Sequence, residues 1–145
     1  MAAIAKPRGL GEVVLRVRDI PREIAFYRDI IGLEVLRVFD DRIAFLSVDV
    51  GHEGHERIVG LFRADQPSNR VDTEWHDPDA GAPTLHHFAV EISLADFEET
   101  LASLTAAGLN PNTAEHPWIG WRSIYVTDPD GNIVELVAVD PSIRA

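Results

Sequence analysis

Apolar and polar residues alternate in eight short stretches, near 10-18, 34-39, 43-50, 57-63, 85-92, 110-115, 121-127 and 132-139, each rich in Val, Ile, Leu or aromatic side chains. A period of two predicts strands with one face covered by a core. Two other stretches change to helical spacing. The first opens at Asp19, a cap candidate, has Pro21 in its first turn, and sets Ile24, Tyr27 and Ile31 on one face before Gly32. The second opens with Ser93 and Asp96 spaced as a capping box, then sets Phe97, Leu101 and Leu104 on one face before Gly108. Each is expected to run about three turns. Asp128-Pro129-Asp130-Gly131 predicts a tight turn between the last two strands.

The order strand, helix, three strands therefore occurs twice. An offset of 75 residues superposes the copies, Glu12 falling on His87 and Gly60 on Glu135. From opening strand to final strand the separation is 48 in both, so the four positions are equivalent in pairs. Three of them are metal-ligand types, and Gly60 is the blank. Alternate side chains of a strand point to opposite faces. Val13, Leu15 and Val17 thus form one face of the first strand, leaving Glu12, Val14 and Arg16 opposite; Phe88, Val90 and Ile92 likewise leave His87, Ala89 and Glu91. In the last strand Glu135 is flanked by Ile133, Val137 and Val139 on its own side. A carboxylate in apolar company needs a cation or a proton.

A chain of 145 residues, 46% of them apolar, suffices for one domain with a real core, spanning 1-145. Its modules are expected at about 9-63 and 84-140, joined by a linker over 64-83 that is rich in Asp, Pro, Gly and Asn. Thirteen basic against 24 acidic side chains give a formal charge of −11, which argues against nucleic acid and anionic membrane surfaces. No apolar run approaches the roughly 20 residues of a membrane span, and Met1 to Arg8 lacks the apolar core of a secretion signal, so a cytoplasmic location is expected. Zero cysteines leave only nitrogen and oxygen ligands for any metal.

Paired strand-helix-three-strand modules, with ligand types on the opening strands and Asp128-Pro-Asp-Gly-Asn-x-x-Glu135 near the end, resemble the vicinal oxygen chelate superfamily. That superfamily includes glyoxalase I, methylmalonyl-CoA epimerase, fosfomycin-resistance transferases, bleomycin-binding proteins and extradiol dioxygenases. The resemblance covers residues 9 to 140 and implies an α+β fold. Its two βαβββ modules would each curl a mixed sheet into half of a cup around a divalent metal, with the helices outside. It also implies a homodimer that exchanges modules, and Glu12, His87 and Glu135 as metal ligands.

The end of the chain is similar to the extradiol dioxygenase signature: His116, then Ile124-Tyr125, Asp128-Pro129, Gly131 and Glu135, with only Ala114 departing at the start. By that match Glu135 binds metal while His116 and Tyr125 line the pocket as catalytic candidates. Two departures bear on the chemistry. One histidine and two carboxylates replace the usual two histidines and one carboxylate that hold Fe(II). And Gly60 stands where such dioxygenases often carry an acid/base histidine and where glyoxalase I has its fourth ligand. Fe(II) or Mn(II) is the first expectation for the metal, with Ni, Co, Zn and Mg as alternatives.

Other residues have plainer readings beside the functional ones. His87 alone could be a hydrogen-bonded core histidine, but its register with Glu12 and its spacing to Glu135 favour a ligand; Glu12 reads equally as a ligand and as a solvated strand-start residue or the trace of a lost ligand. His86 is expected on the opposite face from His87, in a structural role. His52 and His55 lie in Gly-His-Glu-Gly-His-Glu, which lacks the zincin spacing and reads as a solvated hairpin tip. Trp118 either walls a pocket or packs a core. Trp121 and Ser123 alternate with Tyr125 and are substrate-binding candidates. Arg16, on the face of Glu12, is a further one, with a surface salt bridge as the bland alternative. The expected activity is metal-dependent chemistry on a small oxygen-chelating molecule, with an extradiol-type dioxygenase first. The alternatives are a glyoxalase- or epimerase-type lyase or isomerase, and a metal-free antibiotic-binding protein.

Overall fold

In a computed structural model of the protein, residues 6–66 and 85–145 are described. Most of the expected linker, 67–83, and the first five residues lie outside them. The described residues belong to two compact units. The first contains β1 (Glu12–Val17), α1 (Ile20–Ala25), β2 (Glu34–Phe39), β3 (Ile43–Val50) and β4 (Glu56–Arg63). The second contains β5 (Phe88–Glu91), α2 (Phe97–Ala106), β6 (Asn112–His116), β7 (Trp121–Thr127) and β8 (Ile133–Val139). The sheets run β1-β4-β3-β2 and β5-β8-β7-β6. In each, the last strand lies parallel to the first and antiparallel to its other neighbour. The predicted repeat is thus a repeat of topology, and the fold is α+β with two four-stranded mixed sheets.

In the first unit the alternation works as expected. Leu15 and Val17 of β1 are buried with Ala44 and Leu46 of β3 and Val59 and Leu61 of β4, while Glu12, Val14 and Arg16 are exposed. α1 covers β3 and β4. The Asp19 carboxylate caps it, accepting from Arg22 N at 3.1 Å, and Pro21 occupies the first turn where no donor is needed. The helical segment does not continue as α. Phe26–Ile30 forms a π-helical turn, closed by Ile31 N donating to Phe26 O at 3.2 Å. The wider turn rotates the buried face: Ile20, Glu23, Phe26 and Tyr27 are buried, while the expected Ile24 and Ile31 are only half-buried. Phe26 and Tyr27 meet edge to face at 5.1 Å. Gly32, at φ 88°, supplies the left-handed residue that ends the segment.

In the second unit Ile124 and Val126 of β7, and Val134, Leu136 and Ala138 of β8, make a core with Phe97 and Leu104 of α2. The Ser93–Asp96 box closes differently from the expected one. Ser93 Oγ accepts from Asp96 N at 3.2 Å but donates to the Asp96 carboxylate at 2.7 Å, fixing a 3-10 turn over Leu94–Asp96 before α2 begins. The turn between β7 and β8 is organised by Asp128, which is buried and accepts from Asp130 N, Asn132 N and Asn132 Nδ2 at 2.8–2.9 Å. This turn sets the β7–β8 register, and that register puts Tyr125 opposite Glu135. Among the described residues no helix is long and apolar enough to cross a membrane.

Candidate functional site

On the side of β8 opposite Val134, Leu136 and Ala138, Glu135 is only 4% exposed and its neighbour Val137 is buried as well. A buried carboxylate must find donors. It has three. Ser123, two residues before Tyr125 on β7 and fully buried, donates to Glu135 Oε1 at 2.5 Å. The Tyr125 hydroxyl donates to the same oxygen at 3.2 Å. On the other side, His87 enters just before β5 and its Nε2 lies 3.2 Å from Glu135 Oε2. One oxygen is held from behind by two hydroxyls, and the other is presented to an imidazole nitrogen.

The line extends at both ends. His116 Nε2 is 3.2 Å from the Tyr125 hydroxyl, which joins the two catalytic candidates directly. Since that hydroxyl spends its proton on Glu135, it accepts from His116. Burial raises the Tyr125 pKa above its ordinary value; Ser123 opposes this, and the nearby Glu135 charge and hydrogen bond add to the rise. Tyr125 therefore stays a neutral donor at neutral pH. At the other end His87 Nδ1 meets His86 Nδ1 at 2.7 Å. The two rings do not point apart as alternation predicts, because β5 starts only at Phe88 and the period-two rule does not reach them. The one signal in the sequence is the tandem of two histidines.

Other expected residues fall as follows. Ser123, expected to touch substrate, has its hydroxyl committed to Glu135, so it supports the carboxylate from beneath. Trp121 is half-buried and Trp118 is 73% exposed, so Trp118 is not a packing residue. In the first unit Glu12 leans across β4: a Cβ on Gly60 would sit 2.9 Å from Glu12 Oε1 and 3.2 Å from Val14 Cγ2. The opening residue thus approaches the final-strand position in this unit, as His87 approaches Glu135 in the other. Arg16 is exposed and donates to the Ala64 carbonyl at 3.3 Å. His52 and His55 are exposed at the β3–β4 tip, where His55 Nδ1 donates to Glu56 O at 2.8 Å.

Among the described residues no group of three or more His, Asp or Glu side chains is gathered to hold a metal ion. Within the second unit, however, His87 Nε2 and Glu135 Oε2 suit one. They are a nitrogen and an oxygen donor of the right kinds, separated by 3.2 Å. Two neighbouring ligands on one cation, with bonds of about 2.1 Å at right angles, stand roughly 3 Å apart.

Comparison with known proteins places this geometry in context. Over 144 residues the chain is 31% identical to the catechol-2,3-dioxygenase of Bacillus subtilis, a match that covers 97% of this chain but 45% of that protein. It is 29% identical over 131 residues to a probable lactoylglutathione lyase of Vibrio parahaemolyticus, covering 86% of each. Among solved structures, a lactoylglutathione lyase from Agrobacterium tumefaciens superposes with a TM-score of 0.70 at 27% identity, over 92% of this chain and 96% of that one. The fosfomycin resistance protein FosX of Listeria monocytogenes, solved with Mn(II) and a dihydroxypropylphosphonic acid, shares the fold at a TM-score of 0.66 and 21% identity, over 96% of each chain. Residues 9–136 match the sequence profile of the Glyoxalase/Bleomycin resistance protein/Dioxygenase superfamily, and the chain belongs to that superfamily.

Proposed function

We propose that the protein is a divalent-metal-dependent enzyme of extradiol-dioxygenase type, acting on a small catechol-like diol. The observation that carries this reading is the hydrogen-bonded line His116–Tyr125–Glu135–His87 within the second unit. Three of its four residues, His116, Tyr125 and Glu135, match the extradiol signature, and the 31% identity to a catechol-2,3-dioxygenase over nearly the whole chain supports the reading. His87 and Glu135 would hold the ion; Glu12 is the candidate for a third ligand by its place in the repeat. An ion there would supply Lewis acidity toward a vicinal diol and, as iron, the one-electron chemistry that dioxygen requires.

The chain's own groups do the rest. Ser123 and Tyr125 fix the Glu135 carboxylate through Oε1, leaving Oε2 to face His87 Nε2. A diol entering beside Tyr125 meets a hydroxyl oxygen whose proton is committed to Glu135, which can accept from a diol hydroxyl and orient it, and the His116 imidazole, which can take up the proton the diol loses on binding as an anion. Half-buried Trp121 offers an aromatic wall. Oxygen uptake by protein loaded anaerobically with Fe(II), measured against a panel of catechols, tests the reading. Uptake with at least one catechol, lost in Tyr125→Phe or His116→Ala, supports it; no uptake with any sinks it.

A second reading is a lyase of the lactoylglutathione type, favoured by relatives of that name whose length this chain nearly fills. Here a carboxylate would act as base on a carbon acid. Solvent deuterium entering a 2-oxoaldehyde–thiol adduct, without oxygen uptake, would select it.

A further inference from the structure

We infer that His86 is a positioning residue for His87, holding that ring through its far nitrogen so that Nε2 faces Glu135 Oε2. The inference rests on the metal reading above. Its basis is the 2.7 Å approach of the two Nδ1 atoms, with ring centroids 5.0 Å apart and planes inclined at 69°. Metal-binding histidines nearly always have a hydrogen-bond partner on the nitrogen away from the ion, which fixes tautomer and orientation. Among the described residues the partner in that place at His87 is the neighbouring imidazole, with no carboxylate or backbone carbonyl there.

The proton count shows what a second imidazole can do there. A contact between two Nδ1 atoms uses one proton, so one ring donates and the other accepts. The Glu135 carboxylate accepts, so a neutral His87 without metal keeps its proton on Nε2 and accepts from His86 at Nδ1. A cation at Nε2 needs that lone pair. His87 must then carry its proton on Nδ1 and donate it, while His86 accepts at Nδ1 and holds its own proton on Nε2. His86 is exposed, so water can exchange the proton there. The pair holds two protons in both states: His87 frees its ligand nitrogen without ionising, and neither Nδ1 is left unpaired. A backbone carbonyl in the same position could not change roles.

Titration of the intact protein with Mn(II), following free Mn(II) by electron paramagnetic resonance, tests this with three variants. His86→Ala is expected to weaken binding about 10- to 100-fold with an unchanged unfolding midpoint. His86→Asn, whose side-chain carbonyl can accept from Nδ1–H, should recover most of that loss. Nitrogen-15 spectra of the histidine rings should show His86 passing from the Nδ1–H to the Nε2–H tautomer when Zn(II) is added. Wild-type affinity in His86→Ala, or a His86 tautomer that does not change, overturns the inference while leaving the metal site in place. Wild-type affinity in His87→Ala would remove the site itself, and the inference with it.

Discussion

His87 Nε2 and Glu135 Oε2 lie 3.2 Å apart across 48 residues of chain, and Glu12 leans over Gly60 across the same interval. The shared interval is one structural rule used twice: a final strand laid parallel beside the opening strand brings the same pair of positions together in each unit. In the second unit the pair is imidazole and carboxylate. In the first a glycine leaves the carboxylate room.

Gly60→Ala tests that room. The added Cβ would lie 2.9 Å from Glu12 Oε1, the end of a flexible side chain, and 3.2 Å from Val14 Cγ2. Stability should change by less than about 1 kcal/mol. The Glu12 carboxylate should be displaced in a crystal structure of the variant, and Mn(II) affinity should fall as it does in Glu12→Gln. Full affinity in both variants would remove Glu12 from the ligand set.

Ser123→Ala removes the donor beneath Glu135. Both groups are buried, so the carboxylate oxygen loses a bond that water cannot readily replace, and denaturant unfolding should show a loss of roughly 1–3 kcal/mol. Ser123→Thr should recover part of it. A stability equal to wild type in the alanine variant would mean that the serine hydroxyl does not support the carboxylate.

Asp128→Ala tests the turn that sets the register. Three donors lose their common acceptor, and a loss of about 2–3 kcal/mol is expected in thermal or denaturant unfolding. Because the turn aligns Tyr125 with Glu135, Mn(II) affinity should weaken together with stability. Unchanged stability would contradict the role assigned to the aspartate.

Tyr125 gives a pH dependence with a definite sign. Its folded-state pKa is raised chiefly by burial, with Ser123 opposing and Glu135 adding to the rise, so the neutral form is favoured in the fold. Stability is fully present below the unfolded value of about 10 and declines as pH rises from there through the folded value. The chain has two tyrosines, so the ultraviolet titration of Tyr125→Phe isolates Tyr27 and, by difference, Tyr125. A difference curve with its midpoint at or below the ordinary value would contradict the stated environment.

Much of this was readable in the sequence because period-two alternation and fixed repeat length both follow from strand geometry. Alternation places Glu12 on the exposed side of β1, away from buried Leu15 and Val17, and the Asp128 turn lies between β7 and β8 as its residues predict. The failures have equally local causes. Alternation assigns a face but not a depth, so Ser123 read as a pocket residue when it lies wholly buried beneath Glu135. It also stops where the strand stops, so the His86–His87 contact was invisible. The π turn at Phe26–Ile30 has no clear sequence mark, and without it the helix face was drawn through Ile24 and Ile31 instead of Ile20 and Phe26.

The central claim is that His87 and Glu135 hold a divalent cation. Elemental analysis of protein prepared without chelator, run beside His87→Ala and Glu135→Gln, tests it most directly. One divalent ion per chain in the wild type, lost from both variants while their folded spectra persist, is the predicted result. A metal retained equally by all three would contradict it.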